Sequence, residues 1–584
     1  MRLNGILGAV VLTAATAGAQ APSPDWVQTS NEHAQVLLRV MAETSPETAA
    51  RYGVEGVDDQ ILDLSIGYRE RRRKALVEAQ RELKARLERA QDPKVRQDLE
   101  IMVAAVELDL AGQEVSERLE LPYYDLNRLV FHSLRGLLDE RVAAERRPAA
   151  LERLKRYAGL AAGYEPIALL ATQRTREKLD QAGLQAPYRG QLDKSLTEGP
   201  QMRAGLAPLF EEFEIEGYES ALEVLEDQLA VYDDFVAREL LPRAREDFRQ
   251  PPEIYAHSLR VLGIDVAPEE LAWQARASFR EIQLQMQEIA VQVARLRTLP
   301  SSDYRDVIRH LKAEQLMGDA ILPHYHQRLL QIEEIVRRED LVTLPARAAR
   351  IRLASEAESA AIPAPHMSMP RLIGNAGELG EFVLPLRIPG GEGTKKQFDD
   401  FTFAAASWTL TVHEARPGHE MQFASMIEGG VSVARAIFAA NSTNIEGWAL
   451  YAESFVKPWM PPAGQLVSLQ HRLVRAARAF LDPELQLGKI TPEEARRVLT
   501  EDVVLSDAAA TSEVDRYTFR MPGQACSYYH GYSRMIVLRS DVQKALGARF
   551  DARAFHDFVL AQGLLTPDLL RQAVFEDFVP AAKR

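Results

Sequence analysis

Cysteine is almost missing from this sequence. Cys526 is the only cysteine among the 584 residues, so the chain cannot form an internal disulfide. A chain of this length can bury enough apolar surface without such cross-links, so their absence does not argue against export. No histidine accompanies Cys526 at the spacing of a catalytic motif, and we expect its thiol to be buried and unreactive.

The chain also lacks a surplus of positive charge. Its formal net charge is −14, which argues against a nucleic-acid partner, because such proteins usually carry a basic surface. Hydrophobic residues make up 46% of the chain and charged residues 26%, as in soluble globular proteins. We find no repeat of fixed period and no low-complexity linker, so these features point to a folded enzyme or binding protein.

Long apolar runs are absent beyond the first residues. Arg2 and the short apolar run 6–15 precede Ala17-Gly18-Ala19, the pattern of a secretory signal peptide cleaved after residue 19. An uncleaved N-terminal anchor is the alternative. We expect a periplasmic or secreted protein without membrane insertion after cleavage, since the run is too short to span a bilayer.

Most of the chain shows helical periodicity, which predicts a mainly α-helical protein. Gln-Pro-Pro-Glu at 250–253 suggests a division into an N-terminal helical region, 20–250, and a catalytic region, 251–584. The best strand pattern is 382–388, and Pro385 within it predicts an edge strand. Such a strand could pair with an extended peptide or simply cover a helix.

The most informative stretch is 412–422, with the sequence VHEARPGHEMQ. It begins like the zinc motif H-E-x-x-H, in which the two histidines lie one helical turn apart. Here His419 follows His413 by six residues, which places the two rings roughly 120° apart on a regular helix. Pro417 and Gly418 predict a break that could bring them together. The alternative is a helix end with two exposed histidines.

A second helical stretch, roughly 433–455, carries two carboxylates in apolar surroundings. Glu446 and Glu453 are seven residues apart and so lie nearly on one helix face. Burying a carboxylate is costly unless it is paired or bound to metal. Two histidines and one glutamate with a free fourth position form the ligand set of a catalytic zinc site.

Three segments together resemble the bacterial DUF885 family: HEARPGHEMQ at 413–422, EGWALYAE at 446–453 and PGQACSY at 522–528. That family is similar to the gluzincin metallopeptidases, whose third zinc ligand is a glutamate from a downstream helix. The resemblance implies His413, His419 and Glu446 as ligands of one zinc ion and Glu414 as the catalytic base. It also implies a gluzincin-like core with a small β-element beside the active-site helix.

The third segment provides candidate groups for binding and polarising a substrate. Tyr528 matches the tyrosine of the family's Ser-Tyr segment and is the first candidate for stabilising an oxyanion. Arg516 could hold a substrate carboxylate, and His530 could donate a hydrogen bond. The alternative is an aromatic helix cap with polar groups on the surface. Gln486 and Tyr529 depart from the family pattern, where histidine and lysine are expected.

These observations predict a secreted zinc metallopeptidase, of oligopeptidase or carboxypeptidase type, that hydrolyses short peptides with zinc-activated water and Glu414 as general base. A zinc amidohydrolase with the same residues and a catalytically silent peptide-binding protein are the alternatives. Manganese, cobalt or iron could replace zinc at such a ligand set. Bond preference, exo- or endo-action and oligomeric state stay open.

Overall fold

The computed structural model describes residues 24–316, 318–354, 358–359, 364–375, 377–385 and 399–584. The signal-peptide prediction for residues 1–19 lies outside these ranges. Helices α1 to α14 are Asp25–Thr44, Pro46–Tyr52, Tyr68–Leu87, Pro93–Leu119, Leu126–Arg135, Ala149–Tyr157, Ile167–Arg176, Arg189–Ala204, Leu206–Glu212, Glu219–Phe235, Pro252–Val261, Pro268–Arg297, Tyr304–Lys312 and Ile321–Arg338. Helices α15 to α24 are Ala406–Leu410, His419–Gly429, Ser442–Val456, Pro462–Gln486, Pro492–Arg497, Asp507–Asp515, Cys526–Leu546, Ala552–Ala561, Pro567–Ala573 and Val579–Lys583.

The described strands form one small sheet, so the prediction of a mainly helical chain with a small β-element is confirmed. Strands β1 (Arg350–Leu353), β2 (His366–Ser368) and β3 (Glu381–Leu384) are ordered β1-β3-β2. β3 pairs in parallel with β1 and antiparallel with β2, with Phe382 opposite both Ile351 and Met367. Strands β2 and β3 contact the turn that contains His413, which puts the sheet beside the candidate site.

The prediction that 382–388 forms an edge strand is wrong for the part that the structure describes. β3 is the central strand, and all four of its residues are buried. Pro385 follows the last paired residue, so its missing N–H removes no hydrogen bond from the sheet. Residues 386–388 of the predicted strand lie outside the described ranges.

The largest hydrophobic cluster lies between the long helices α12 and α18, which pack together along much of their length. A second cluster, from Leu64 to Leu240, belongs wholly to the N-terminal helices. A further cluster joins α1, α3 and α4 to Ala434, so the N-terminal helices also pack against the downstream part of the chain. The division of the chain near residue 250 stays a prediction.

Helices α17 and α21 approach each other closely through two glycines. A Cβ added to Gly447 would lie 2.7 Å from the Cα of Gly531, and one added to Gly531 would lie 2.0 Å from the carbonyl oxygen of Thr443. Only glycine permits this spacing. The contact brings the third sequence segment, on α21, against the helix that carries Glu446.

The helical stretch predicted for 433–455 is interrupted. A π-helical turn, Ala434–Phe438, comes first, and α17 begins only at Ser442. Asn441 caps α17 by accepting a hydrogen bond from the Asn444 N–H, which satisfies a free donor of the first turn. Among the described residues, no helix has both the length and the apolar character needed to cross a membrane.

Candidate metal centre

The helix that carries His413 ends in a break before His419, as the sequence predicts. A π-helical turn covers Thr411–Ala415, and Arg416 leaves the helix with φ −124° and ψ 137°. The Arg416–Pro417 peptide bond is cis. Helix α16 then begins at His419, so the two histidines belong to different helical segments.

Gly418 is required where the chain turns back. A Cβ at this position would lie 2.0 Å from the carbonyl oxygen of His413 and 2.3 Å from that of Val412. The Trp448 indole N–H donates to the Pro417 carbonyl at 2.9 Å and so ties the break to α17. These contacts fix the path between the histidines relative to the helix that carries Glu446.

A buried ion network holds the other side of the break. The fully buried Arg416 donates from Nε to Glu420 at 2.7 Å and from Nη1 to Glu333 at 2.9 Å. Nη1 also donates to the carbonyl oxygen of Arg347, whose own guanidinium pairs with Glu420 at 2.7 Å. Charged groups buried in this way need opposite charges close by. The network anchors residues on both sides of Pro417 and Gly418.

His413, His419 and Glu446 meet at one point. One ligand atom from each lies within 4.8 Å of the others. Oε2 of Glu446 is 3.3 Å from Nε2 of His419 and 3.5 Å from Nε2 of His413. The two imidazole rings stand nearly perpendicular, with centroids 4.7 Å apart. The structure thus brings together the three residues that the sequence suggests as metal ligands.

Glu453 holds His413 from the side opposite Glu446. Its Oε1 accepts a hydrogen bond from Nδ1 of His413 at 2.7 Å, and its Oε2 accepts one from the Thr409 hydroxyl at 2.5 Å. Burial alone would lower the pKa of His413, but the carboxylates of Glu446 and Glu453 raise it to about 9. The bond to Nδ1 directs Nε2 towards Glu446 and His419.

Glu414 lies next to His413 with a partly exposed side chain, as a base that meets a substrate would. His366, on the edge strand β2, faces this region and was not identified from the sequence. Its Nδ1 donates to the Ala364 carbonyl at 3.0 Å, so its other ring nitrogen, Nε2, takes no part in this hydrogen bond. Burial lowers the pKa of His366, and the Glu414 charge opposes this shift. No local motif marks His366, because it reaches the site through the sheet.

Tyr528 lies over His413, with nearly parallel rings and centroids 6.3 Å apart. Burial raises the pKa of its hydroxyl, and the Glu446 charge adds to this effect. Arg516 donates from Nη2 to the hydroxyl at 3.3 Å. The structure therefore brings Tyr528 and Arg516 to the site, as the sequence suggests.

His530 faces another direction. It follows Tyr528 by two positions on α21, which places the two side chains on roughly opposite faces of the helix. Its Nε2 lies 2.8 Å from Asp265. Gln422, three residues after His419 on α16, donates to Asn444 at 3.0 Å.

Gln486 and Tyr529, the two residues that depart from the family pattern, both form hydrogen bonds within the fold. Gln486 donates to the Tyr517 carbonyl at 2.7 Å and accepts from the Gln250 N–H at 2.9 Å. The Tyr529 hydroxyl exchanges a hydrogen bond with Ser278 at 2.8 Å. Cys526 is fully buried, and burial raises the pKa of its thiol, as expected for an unreactive cysteine.

Comparison with known proteins places this geometry in a family. Residues 46–574 match the family described as "Bacterial protein of unknown function (DUF885)". The chain belongs to the DUF885 family. Because the match covers most of the chain, helices from both halves belong to the family fold. A search of curated proteins gives no match.

Two solved structures share the fold of this DUF885 chain. One is described as "the putative lipoprotein from Colwellia psychrerythraea", with a TM-score of 0.76. The other is "a putative lipoprotein of unknown function from Shewanella oneidensis", with a TM-score of 0.69. Each is 18% identical to this chain, and each alignment covers 95% of this chain and 100% of the other. The TM-scores establish a common fold, and an identity this low carries no information about activity.

Proposed function

We propose that this protein is a zinc-dependent metallopeptidase that hydrolyses amide bonds in short peptides. The observation that carries the proposal is the convergence of His413, His419 and Glu446 from two helical segments and a third helix. Two histidines and a carboxylate leave the fourth tetrahedral position of zinc for a reactant, as catalytic zinc sites do.

Two of the three donor separations fit a zinc ion. Zinc–ligand bonds of about 2.0–2.2 Å in a tetrahedron require ligand atoms roughly 3.3–3.5 Å apart. The Glu446 oxygen lies at 3.3 and 3.5 Å from the two histidine nitrogens. This buried oxygen has no hydrogen-bond partner of good geometry among the described residues. The bond from His413 to Glu453 is the support that metal-binding histidines usually have.

Three surrounding residues have roles in this proposal. Bound zinc supplies Lewis-acid chemistry that makes water nucleophilic at neutral pH. Glu414 accepts the proton of the attacking water and passes it to the leaving nitrogen. Tyr528 donates its hydroxyl hydrogen to the oxygen that becomes negatively charged, and Arg516 binds the substrate. His530 is assigned no role, because it faces Asp265.

We also propose that the protein works outside the cytoplasm. The pattern of residues 1–19 predicts export, and the two structural neighbours carry the description of lipoproteins. The chain would then meet short peptides in the periplasm or medium.

Glu414→Gln provides the most direct test of this function. The variant keeps the size and polarity of the side chain but removes the base, so cleavage of a peptide library should fall about 10²–10⁴-fold with zinc content unchanged. Glu493→Gln, at an exposed glutamate on α19, is the control and should cleave as the wild type does.

Peptide cleavage by Glu414→Gln at the wild-type rate would refute the proposed base. Hydrolysis of N-acyl amides but of no peptide would assign an amidohydrolase instead. Metal binding without any turnover would favour the peptide-binding alternative.

A further inference from the structure

Three arginine side chains surround the ring of Tyr528. Arg475 and Arg478 come from α18, and Arg516 follows α20. Their guanidinium carbons lie 5.8, 4.6 and 5.4 Å from the ring centroid. The electron-rich face of an aromatic ring attracts a guanidinium, but it does not neutralise the charge. Three positive charges therefore meet beside the candidate zinc ligands.

The nearby carboxylates balance these charges only in part. Glu513 binds Arg478 through two hydrogen bonds, at 2.6 and 2.8 Å. Burial alone would raise the pKa of Glu513, but the charges of Arg478 and Arg516 lower it to about 2. Glu453 lies 3.8 Å from Arg475 and already binds His413. Glu446 lies against the two histidines instead, so none of these three carboxylates forms a hydrogen bond with Arg516.

Arg516, like Arg475, forms no hydrogen bond with a carboxylate among the described residues, but its side chain is the more exposed of the two. Its Nη1 lies 3.6 Å from Glu513, beyond hydrogen-bond distance. Its Nη2 donates to two neutral groups, the Gln524 side-chain oxygen and the Tyr528 hydroxyl. About one fifth of the side chain is exposed, so a ligand can reach it. Gln524 holds the guanidinium plane in place.

We propose that Arg516 binds the free carboxylate at the C-terminus of the substrate, which makes this protein a carboxypeptidase-type enzyme. The proposal rests on the metallopeptidase function above. Arginine binds carboxylates through two parallel hydrogen bonds, so an incoming carboxylate would give Arg516 a charged partner within hydrogen-bond distance. An enzyme that cleaves within long chains has no such anion to place here.

The distances suit release of a short C-terminal fragment. The Arg516 guanidinium carbon lies no more than about 12 Å from the centre of the His413 ring, because both flank the Tyr528 ring. An extended residue spans roughly 3.3–3.6 Å. A carboxylate at Arg516 would therefore lie no more than about three residues beyond an amide bond held at His413 and Glu446.

The first test compares peptides that end in a free carboxylate with the same peptides ending in an amide. We expect the wild-type enzyme to cleave the acids with a kcat/KM at least about 30-fold higher, since losing one partner of a buried charge pair has an effect of this size. Arg516→Gln should reduce the acid-to-amide ratio to near one, and Arg516→Lys should restore part of it.

Arg472→Gln is a matched control. Arg472 lies on α18 with Arg475 and Arg478, and its guanidinium also packs over a tyrosine, Tyr532, at 4.9 Å. It does not contact the Tyr528 ring, so this variant should keep the wild-type acid-to-amide ratio. A similar fall in both variants would show that the ratio responds to any loss of positive charge near α21, and it would overturn the proposal.

A binding measurement separates this inference from the proposed function. N-acetyl dipeptides with a free carboxylate should bind the metal-free wild type more tightly than their amides do, and Arg516→Gln should remove the difference. That result supports a carboxylate-binding role of Arg516 even if no peptide is cleaved. Equal binding of acids and amides overturns this role. Metal-dependent cleavage at equal rates for both also overturns it, while leaving the metallopeptidase function intact.

Discussion

Replacing Glu453 with glutamine tests how the candidate zinc ligands are held. Glutamine can still accept from Nδ1 of His413 and donate to the Thr409 hydroxyl, so the variant removes the charge and keeps both contacts. Groups that support a metal-binding histidine typically account for 10–100-fold in metal affinity. We therefore expect zinc affinity to fall by this factor, about 1.4–2.8 kcal/mol.

The same change has a separate effect on the metal-free fold. Burial would raise the pKa of Glu453, but the charges of Arg475 and His413 lower it to about 2. Against an ordinary value of 4.5, this shift corresponds to an upper limit of about 3 kcal/mol of stability at neutral pH. Circular dichroism must therefore show that Glu453→Gln is folded at the temperature of the assay.

Competition with a chromophoric chelator measures the zinc affinity of both proteins. Thr409→Val is the control, because it removes the second hydrogen bond to Glu453 but leaves the bond to His413 in place. Its affinity should stay within about threefold of the wild type, as expected for loss of one hydrogen bond. Wild-type affinity in folded Glu453→Gln would refute the idea that Glu453 supports a metal ligand.

Three further predictions concern the break, the buried Asp482 and Tyr528. Gly418→Ala should destabilise the fold by more than about 1–3 kcal/mol in urea unfolding and reduce zinc content, because its Cβ would lie 2.0 Å from a carbonyl oxygen. The control is Gly429→Ala, which has open space at its Cβ and should match or exceed the wild-type stability. Burial raises the pKa of Asp482 to about 8, so the stability that its protonated carboxyl contributes is full below pH 4 and is lost as the pH rises through 8. The free energy of unfolding of Asp482→Asn should therefore change less with pH over this range than that of the wild type. Equal changes in the two proteins would contradict this. Tyr528→Phe should keep its zinc and lose about 10²–10³-fold in kcat, and an unchanged kcat would exclude Tyr528 as the oxyanion donor.

The sequence predicts the local features of the site well. Pro417 and Gly418 cannot continue a regular helix, so a break between His413 and His419 follows from their own chemistry. The seven-residue spacing of Glu446 and Glu453 puts both on one helix face, and the structure places them on opposite sides of the His413 ring. These predictions succeed because they depend on neighbours within one or two helical turns.

Features that depend on distant packing could not be predicted in this way. Arg475 and Arg478 reach Tyr528 only because α18 packs against α21, which no local pattern indicates. His366 reaches Glu414 through the pairing of β2 with β3. His530 appeared suitable from its place beside Tyr528 in the sequence, but the helix turns it towards Asp265.

Zinc content of the purified protein tests the central claim most directly. Elemental analysis should find about one zinc per chain in the wild type and almost none in His413→Ala, His419→Ala and Glu446→Ala. His366→Ala removes a histidine beside the site that is not among the three proposed ligands, so it should retain its zinc. A wild type that binds no metal, or ligand variants that keep it, would contradict the proposed metal centre.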